Sequence, residues 1–491
     1  MQYSLRELLK HTSIYSFGRL ASKAVGFLLI PLYTHYLTPH DYGIQELLMV
    51  AITLIGIIAQ GGISAALFKF YNLYTQDSDR RSVVATILYF VISSCLFCCI
   101  IMWIAADQVS FLFIGENSYG HYVQLMLVSF FFSSVATVPE SLIRAHKRSK
   151  LFTLISLGTL VVNLSLNIYM VAVAKMGLEG ILYASIIARI LNTGFLLAIT
   201  RDAMGAGFKF SMLKQILSFS TPLIPAHLGL FIYAFSDRLF LTHMSSLESV
   251  GLYALGYKFP FMISLLLIQP FMAIWQQEMY EIKERPDAPH VFGKIFTYYY
   301  AVILISGALM TVFIREIIVV MASDRFVNAW KVVPIICLAY VFRGSYLYFQ
   351  MGMLFSNKTQ YLGYATMFGA ALILGLNYLL IPGLNEVGAA LAQLGSYFFL
   401  AVAGFLLSQR FYKVEVEYSK IIKSFSIFVL IVAFFVSVPI ESFVLSVLIR
   451  ACSIPLMLYT LYRLRLFSDV DVLNVPGLKN LRSRLLRFGS A

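Results

Sequence analysis

Charge is scarce in this chain. Of 491 residues only 12% are Asp, Glu, Lys or Arg while 59% are hydrophobic, a balance that excludes an ordinary soluble domain. Long polar stretches are missing too. Apolar runs recur from residue 13 to residue 466 with short breaks, so no separate soluble domain fits between them and function must reside in the membrane-embedded part. Cysteine is sparse: Cys95, Cys98, Cys99, Cys337 and Cys452 all lie inside apolar segments, which excludes a secreted disulfide framework. The first three have a spacing like that of metal ligands, but with apolar flanks and no His or Asp beside them no metal site is expected. No GxxxxGKS or GxxxxGKT loop, GxSxG or HExxH occurs, so the chain carries no P-loop ATPase of its own, and neither a cofactor nor an enzymatic reaction is expected.

What is present is a succession of membrane-length segments. They fall at 13–37, 44–69, 82–105, 120–143, 152–174, 178–200, 216–241 and 250–276, then at 291–314, 331–354, 361–382, 386–409, 420–439 and 444–466, about fourteen in all. An all-α polytopic membrane protein is predicted, beginning with an uncleaved first span, since no compact apolar region precedes a small-residue cleavage site. The net charge of +13 could suggest nucleic acid, but the cations collect on alternate connections: Arg80 and Arg81, Arg144 to Lys150, Arg201 to Lys214, Lys283 and Arg285, Lys358, Arg410 and Lys413. The opposite connections at 38–43, 243–250 and 382–388 contain no Lys or Arg, with Lys175, Arg315 and Arg325 as outward exceptions. This bias places both termini in the cytoplasm and explains the charge without nucleic acid.

Comparison of the chain with itself reveals a repeat. Thr34, His35 and Gly43 recur 208 positions later as Thr242, His243 and Gly251, and the same offset carries Lys150 onto Lys358 and Gly180 onto Gly388. Asn167 and Asn377 match within two residues. An even number of spans per unit gives two parallel six-helix repeats, related by an axis along the membrane normal. The predicted organisation is a first lobe at 1–214, a second at 215–410, two extra helices at 411–466 and a basic amphipathic tail at 467–491 lying on the anionic inner leaflet. The four repeated glycines read as tight turns between spans.

Charges inside spans are the candidate functional groups, because a cation in lipid costs about 2.5 kcal/mol or more and turns toward protein or water. Arg19 and Lys23 are four residues apart on one face of the first span. Lys23 sits near mid-depth, whereas Arg19 is also within snorkelling reach of the headgroups. Lys258 and Arg343 lie deep in later spans, and Lys69, Arg189, Arg238 and Arg450 are further embedded cations. The interior acids are Glu46, Glu140 and Asp237. Cations thus prevail, which suits a phosphate or pyrophosphate bound by guanidinium forks. Asp237 and Arg238 are adjacent, so on a helix they diverge by about 100° and need different partners, with Arg238 anchoring near the outer end. Glu46, Asp237 and His35 are the titratable candidates for ion coupling.

The segments SFGRLASKAVGFLLIPLYTHYLTPHDYGIQEL and FSTPLIPAHLGLFIYAFSDRLFL, with the N-to-G pattern of LNIYMVAVAKMGLEGILYAS, resemble the polysaccharide flippase branch of the multidrug/oligosaccharidyl-lipid/polysaccharide exporter superfamily. The resemblance runs from the first span to about residue 410 and is most specific in PLYTHYLTPHDYG. It implies two six-helix lobes around a cationic cavity, translocation of undecaprenyl-pyrophosphate-linked oligosaccharide by ion-gradient-driven alternating access, and a role in O-antigen, capsule or exopolysaccharide synthesis beside a polymerase and glycosyltransferases. Arg19, Lys23, Lys258 and Arg343 would then attract the pyrophosphate. The rival readings are a peptidoglycan-precursor flippase, a multidrug exporter of the same fold, and a membrane polymerase or glycosyltransferase, for which the outer connections look too short.

Overall fold

The computed structural model describes residues 26–457 except Ala206 and 439–441, and it is helical almost throughout, with no strand among the described residues. In chain order the helices are α1 (Ile30–Tyr36), α2 (Pro39–Gln60), α3 (Ile63–Leu73), α4 (Asp77–Ile104), α5 (Ala106–Ile114), α6 (Gly120–Ala145), α7 (Ser149–Asn167), α8 (Gly177–Thr200), α9 (Phe210–Ser220) and α10 (Ile224–Met244). There follow α11 (Leu247–Ile263), α12 (Gln269–Lys283), α13 (Ala288–Met321), α14 (Val333–Phe355), α15 (Gln360–Phe411), α16 (Tyr418–Ser437) and α17 (Phe443–Ala451). Eleven helical segments among the described residues are long and apolar enough to cross a membrane. One of them, α15, has 52 residues, about 78 Å at about 1.5 Å per residue, more than twice the bilayer core. It breaks at Asn385 (φ 48°, ψ −128°) and so supplies the two crossings expected at 361–382 and 386–409. Of the other expected spans, those at 13–37 and 444–466, and the last residue of 420–439, run outside the described residues.

The described residues group into two compact units. The first holds everything up to Ala254 together with Met321–Phe326 and Asn377–Ala389; the second holds Leu255–Val320, Val327–Leu376 and everything from Ala390. Within the first unit α6 packs along α4 and α8, α7 lies along α8, and α2 meets α10. The start of α2 is set by the sequence TPHD: the Thr38 hydroxyl accepts the Asp41 amide at 3.2 Å, the Asp41 carboxylate accepts the Thr38 amide at 3.1 Å, and Pro39 fills the first turn, where no backbone donor is needed. The repeat copies the device, since the Ser246 hydroxyl, 208 positions after Thr38, accepts the Ser249 amide at 3.1 Å to cap α11.

Gly43 and Gly251 are not turn residues. Both lie within helices, and a methyl group on Gly43 would collide with the Leu247 carbonyl while one on Gly251 would collide with the Pro39 carbonyl. Leu247 is the repeat counterpart of Pro39, so residue 39 meets 251 as residue 247 meets 43. Such reciprocity is the mark of a two-fold contact. The paired asparagines are interhelical clamps as well: Tyr33 Oη donates to Asn167 Oδ1 at 2.7 Å, and Asn377 Nδ2 donates to Ser236 Oγ at 3.3 Å.

The second unit is built on aromatic packing among α12, α13 and α14. Phe271 stacks on Tyr299 at 4.1 Å between centroids and Trp275 on Tyr348 at 4.6 Å. The Tyr348 hydroxyl is satisfied by donating to the Phe292 carbonyl at 2.7 Å.

Candidate functional site

Arg343 lies half-buried on α14 in the second unit, inside a ring of hydroxyls and aromatic faces. Its Nη1 donates to Ser264 Oγ at 3.3 Å, and Ser264 opens the π turn Ser264–Ile268 that joins α11 to α12. Tyr340, one helical turn earlier on α14, presents its ring 5.6 Å from the guanidinium carbon, and Tyr397 of α15 presents its own at 5.9 Å. Tyr340 Oη donates to Tyr257 Oη at 2.9 Å, and Gln393 Nε2 donates to the same oxygen at 3.4 Å. Among the described residues no carboxylate pairs with Arg343. The ring faces stabilise the cation by about 0.5–2 kcal/mol each but do not neutralise it, so the guanidinium keeps its full positive charge. Lys258 is on α11, next to Tyr257 and half-buried. Arg19 and Lys23 lie outside the described residues.

Asp237 and Arg238 sit in the first unit and, contrary to the expectation that adjacent residues need different partners, pair with each other. The Arg238 side chain folds back along α10, so that Nη1 is 2.9 and 3.0 Å from the two Asp237 carboxylate oxygens and 3.0 Å from the Ala234 carbonyl. A long side chain spans the angle that separates the two Cβ atoms. Nor is Arg238 an outer anchor, since it is only 3% exposed. Glu46 of α2 approaches its Nε at 3.6 Å, and Tyr253 Oη donates to Asp237 Oδ2 at 2.5 Å. The Arg238 amide takes the remaining side of Asp237 Oδ1 at 2.8 Å. Asp237 is thereby engaged on both oxygens.

Sequence reasoning overlooked Glu316. It follows Arg315, which reads as a loop charge at the end of a span, yet Glu316 is buried on α13 and its Oε1 meets Arg450 Nε of α17 at 2.9 Å. Ser446 donates to the same carboxylate oxygen, Arg450 Nη1 donates to the Val312 carbonyl, and Glu316 Oε2 is buried with no hydrogen-bond partner among the described residues. Arg450, deep in its span, was the available signal: a buried guanidinium implies a buried acid. The cluster holds the last described helix against α13 and pairs the Arg450 charge. Among the described residues no group of three His, Cys, Asp or Glu side chains could hold a metal.

The comparisons with known proteins agree with this architecture. The chain is 24% identical over 278 residues to an uncharacterized membrane protein of Haemophilus influenzae, a match covering 53% of this chain and 62% of that protein. It is 24% identical over 337 residues to Lsg locus putative protein 1 of the same species, covering 66% of this chain and 78% of that protein. Its fold is similar to the lipid II flippase MurJ in an inward closed conformation, with a TM-score of 0.72 at 13% identity over 91% of this chain and 98% of that one. It is also similar to the inward-facing conformation of a multidrug resistance MATE family transporter of the MOP superfamily, with a TM-score of 0.64 at 13% identity over 79% of this chain and 94% of that one. At such identities the likeness is one of fold. Residues 8–275, more than half of the chain, match the family model described as polysaccharide biosynthesis protein; the chain belongs to that family.

Proposed function

We propose that this protein is a flippase that carries undecaprenyl-pyrophosphate-linked oligosaccharide repeat units from the inner to the outer leaflet of the cell inner membrane, for O-antigen, capsule or exopolysaccharide synthesis. The observation that carries the reading is the carboxylate-free guanidinium of Arg343 among tyrosine hydroxyls in a membrane helix. A cation kept in lipid without a countercharge is costly and suits a ligand that brings its own negative charge. Phosphate oxygens accept from the guanidinium, and the polyprenyl tail remains in the bilayer. Arg19, Lys23 and Lys258 complete the cationic surface in this proposal, and two six-helix repeats at 1–214 and 215–410 alternate access, driven by an ion gradient with Glu46 or Asp237 as coupling group. Both termini are cytoplasmic, and a polymerase and glycosyltransferases are the expected partners.

A second reading, a peptidoglycan-precursor flippase, is favoured by the fold likeness to the lipid II flippase. A multidrug exporter for cations is disfavoured, because Asp237 is already paired with Arg238. The test is deletion of the gene in its host and complementation with wild type, Lys23→Ala, Arg343→Lys or Arg343→Gln, following surface polymer and lipid-linked intermediates. Deletion is expected to trap repeat-unit lipids on the inner leaflet. Arg343→Gln is expected to slow export at least tenfold, and Arg343→Lys to restore part of it, since an ammonium keeps the charge and loses the fork. Accumulation of lipid II instead would establish the second reading; full rescue by Arg343→Gln would remove Arg343 from the mechanism.

A further inference from the structure

In the first unit a cavity of about 220 Å³ opens among α6, α7 and α8. Its polar lining is Glu140 from α6, Ser156, Thr159 and Asn163 from α7, and Arg189 and Asn192 from α8. The three α7 residues stand at i, i+3 and i+7, one polar stripe along a membrane helix. Thr159 Oγ1 donates to Asn192 Oδ1 at 2.9 Å, and Asn192 lies beside Glu140. Arg189 is exposed although it sits midway along an apolar span. Among the described residues it makes no hydrogen bond and no ion pair; it and Glu140 feel each other's charge without touching.

This composition differs in kind from the surroundings of Arg343. A phosphate entering here would be repelled by Glu140 as it was drawn to Arg189, and a cation would meet the reverse. An uncharged, hydroxyl-rich group satisfies both: its hydroxyls donate to the carboxylate and accept from the guanidinium, and Asn163 and Asn192 offer both roles. Phe152, also in the lining, adds an aromatic surface for the C–H face of a ring. The volume has room for a single sugar ring. We propose that this cavity is a saccharide subsite, binding an uncharged sugar of the transported headgroup. The inference rests on the flippase reading and adds to it a second site of different chemistry.

The test uses the full-length protein in nanodiscs and three probes: undecaprenyl pyrophosphate, the host's own lipid-linked repeat unit accumulated in a polymerase-deleted strain, and the oligosaccharide freed from that lipid by mild acid. Binding is measured by thermophoresis for wild type, Glu140→Gln, Asn192→Leu, Thr159→Val and Arg343→Gln, using variants whose melting temperature and elution match wild type. Glu140→Gln and Asn192→Leu are expected to weaken the repeat-unit lipid about tenfold and Thr159→Val two- to threefold, with undecaprenyl pyrophosphate held within twofold. Arg343→Gln is expected to weaken both lipids. Binding of the free oligosaccharide with the same Glu140→Gln loss would show that the site takes sugar from solution as well as from lipid; its failure to bind, with the lipid effect intact, would confine the site to lipid-linked sugar. Equal losses for the two lipids in Glu140→Gln, or no loss in either, would overturn the saccharide site while leaving the flippase reading in place. Wild type binding neither lipid would overturn the flippase reading itself and the subsite with it.

Discussion

At the scale of single residues, the membrane interior makes the partner of each embedded charge the informative fact. Arg238 finds Asp237 and Glu46, Arg450 finds Glu316, and Arg343 finds, among the described residues, tyrosines and a serine but no carboxylate. The embedded charges were legible in the sequence because hydropathy marks them at once. Their pairing was not, because it depends on the path of a flexible side chain: Arg238 bends back on its neighbour, and Glu316 hides behind an adjacent arginine that reads as a loop residue. The Glu316–Arg450 pair gives a clear expectation. Arg450→Met should strand a buried carboxylate and cost about 3 kcal/mol, read as a fall in melting temperature in detergent. The double variant Glu316→Leu/Arg450→Met, which leaves no charge uncompensated, should recover more than half of that loss. An unchanged melting temperature for the single variant would show that the pair contributes nothing to holding α17.

At the scale of elements, helix ends and crossings carry the repeat. PLYTHYLTPHDYG is the most specific stretch of the sequence for a physical reason: it encodes a capping box, a proline at the first turn and the glycine that lets α2 touch the start of α11. The glycine positions were found from the 208-residue offset, but their role was misread, since a glycine at a helix crossing and one in a turn look alike without the neighbouring backbone. Gly43→Ala and Gly251→Ala should each destabilise by about 1–3 kcal/mol, because the obstacle in each case is a backbone carbonyl that cannot rotate away. Gly363→Ala is the control, since nothing lies within 4 Å of the added methyl. Thermal melts of the three variants decide the matter; equal behaviour of all three would mean that α2 and α11 have slack between them.

At the scale of the whole molecule, the sequence told the number and order of spans closely, because each needs about 20 apolar residues and the breaks between them are polar. It also supplied an orientation that labelling can check. In a background with the five native cysteines replaced by alanine, Glu116→Cys and Ser246→Cys, both at exposed sites on connections expected to face outward, should react with an impermeant maleimide in intact cells. Arg148→Cys and Glu284→Cys, equally exposed, should react only after the membrane is opened. The reverse pattern would invert the topology and with it the direction of transport. The reciprocal contact of residues 39 and 43 with 251 and 247 has a further consequence, historical rather than mechanical. A chain half this length, paired with its own copy across the same axis, would form that contact twice without altering a residue. Tandem duplication of its gene would then need only a linker, and what had been an interface between two molecules would become a joint inside one.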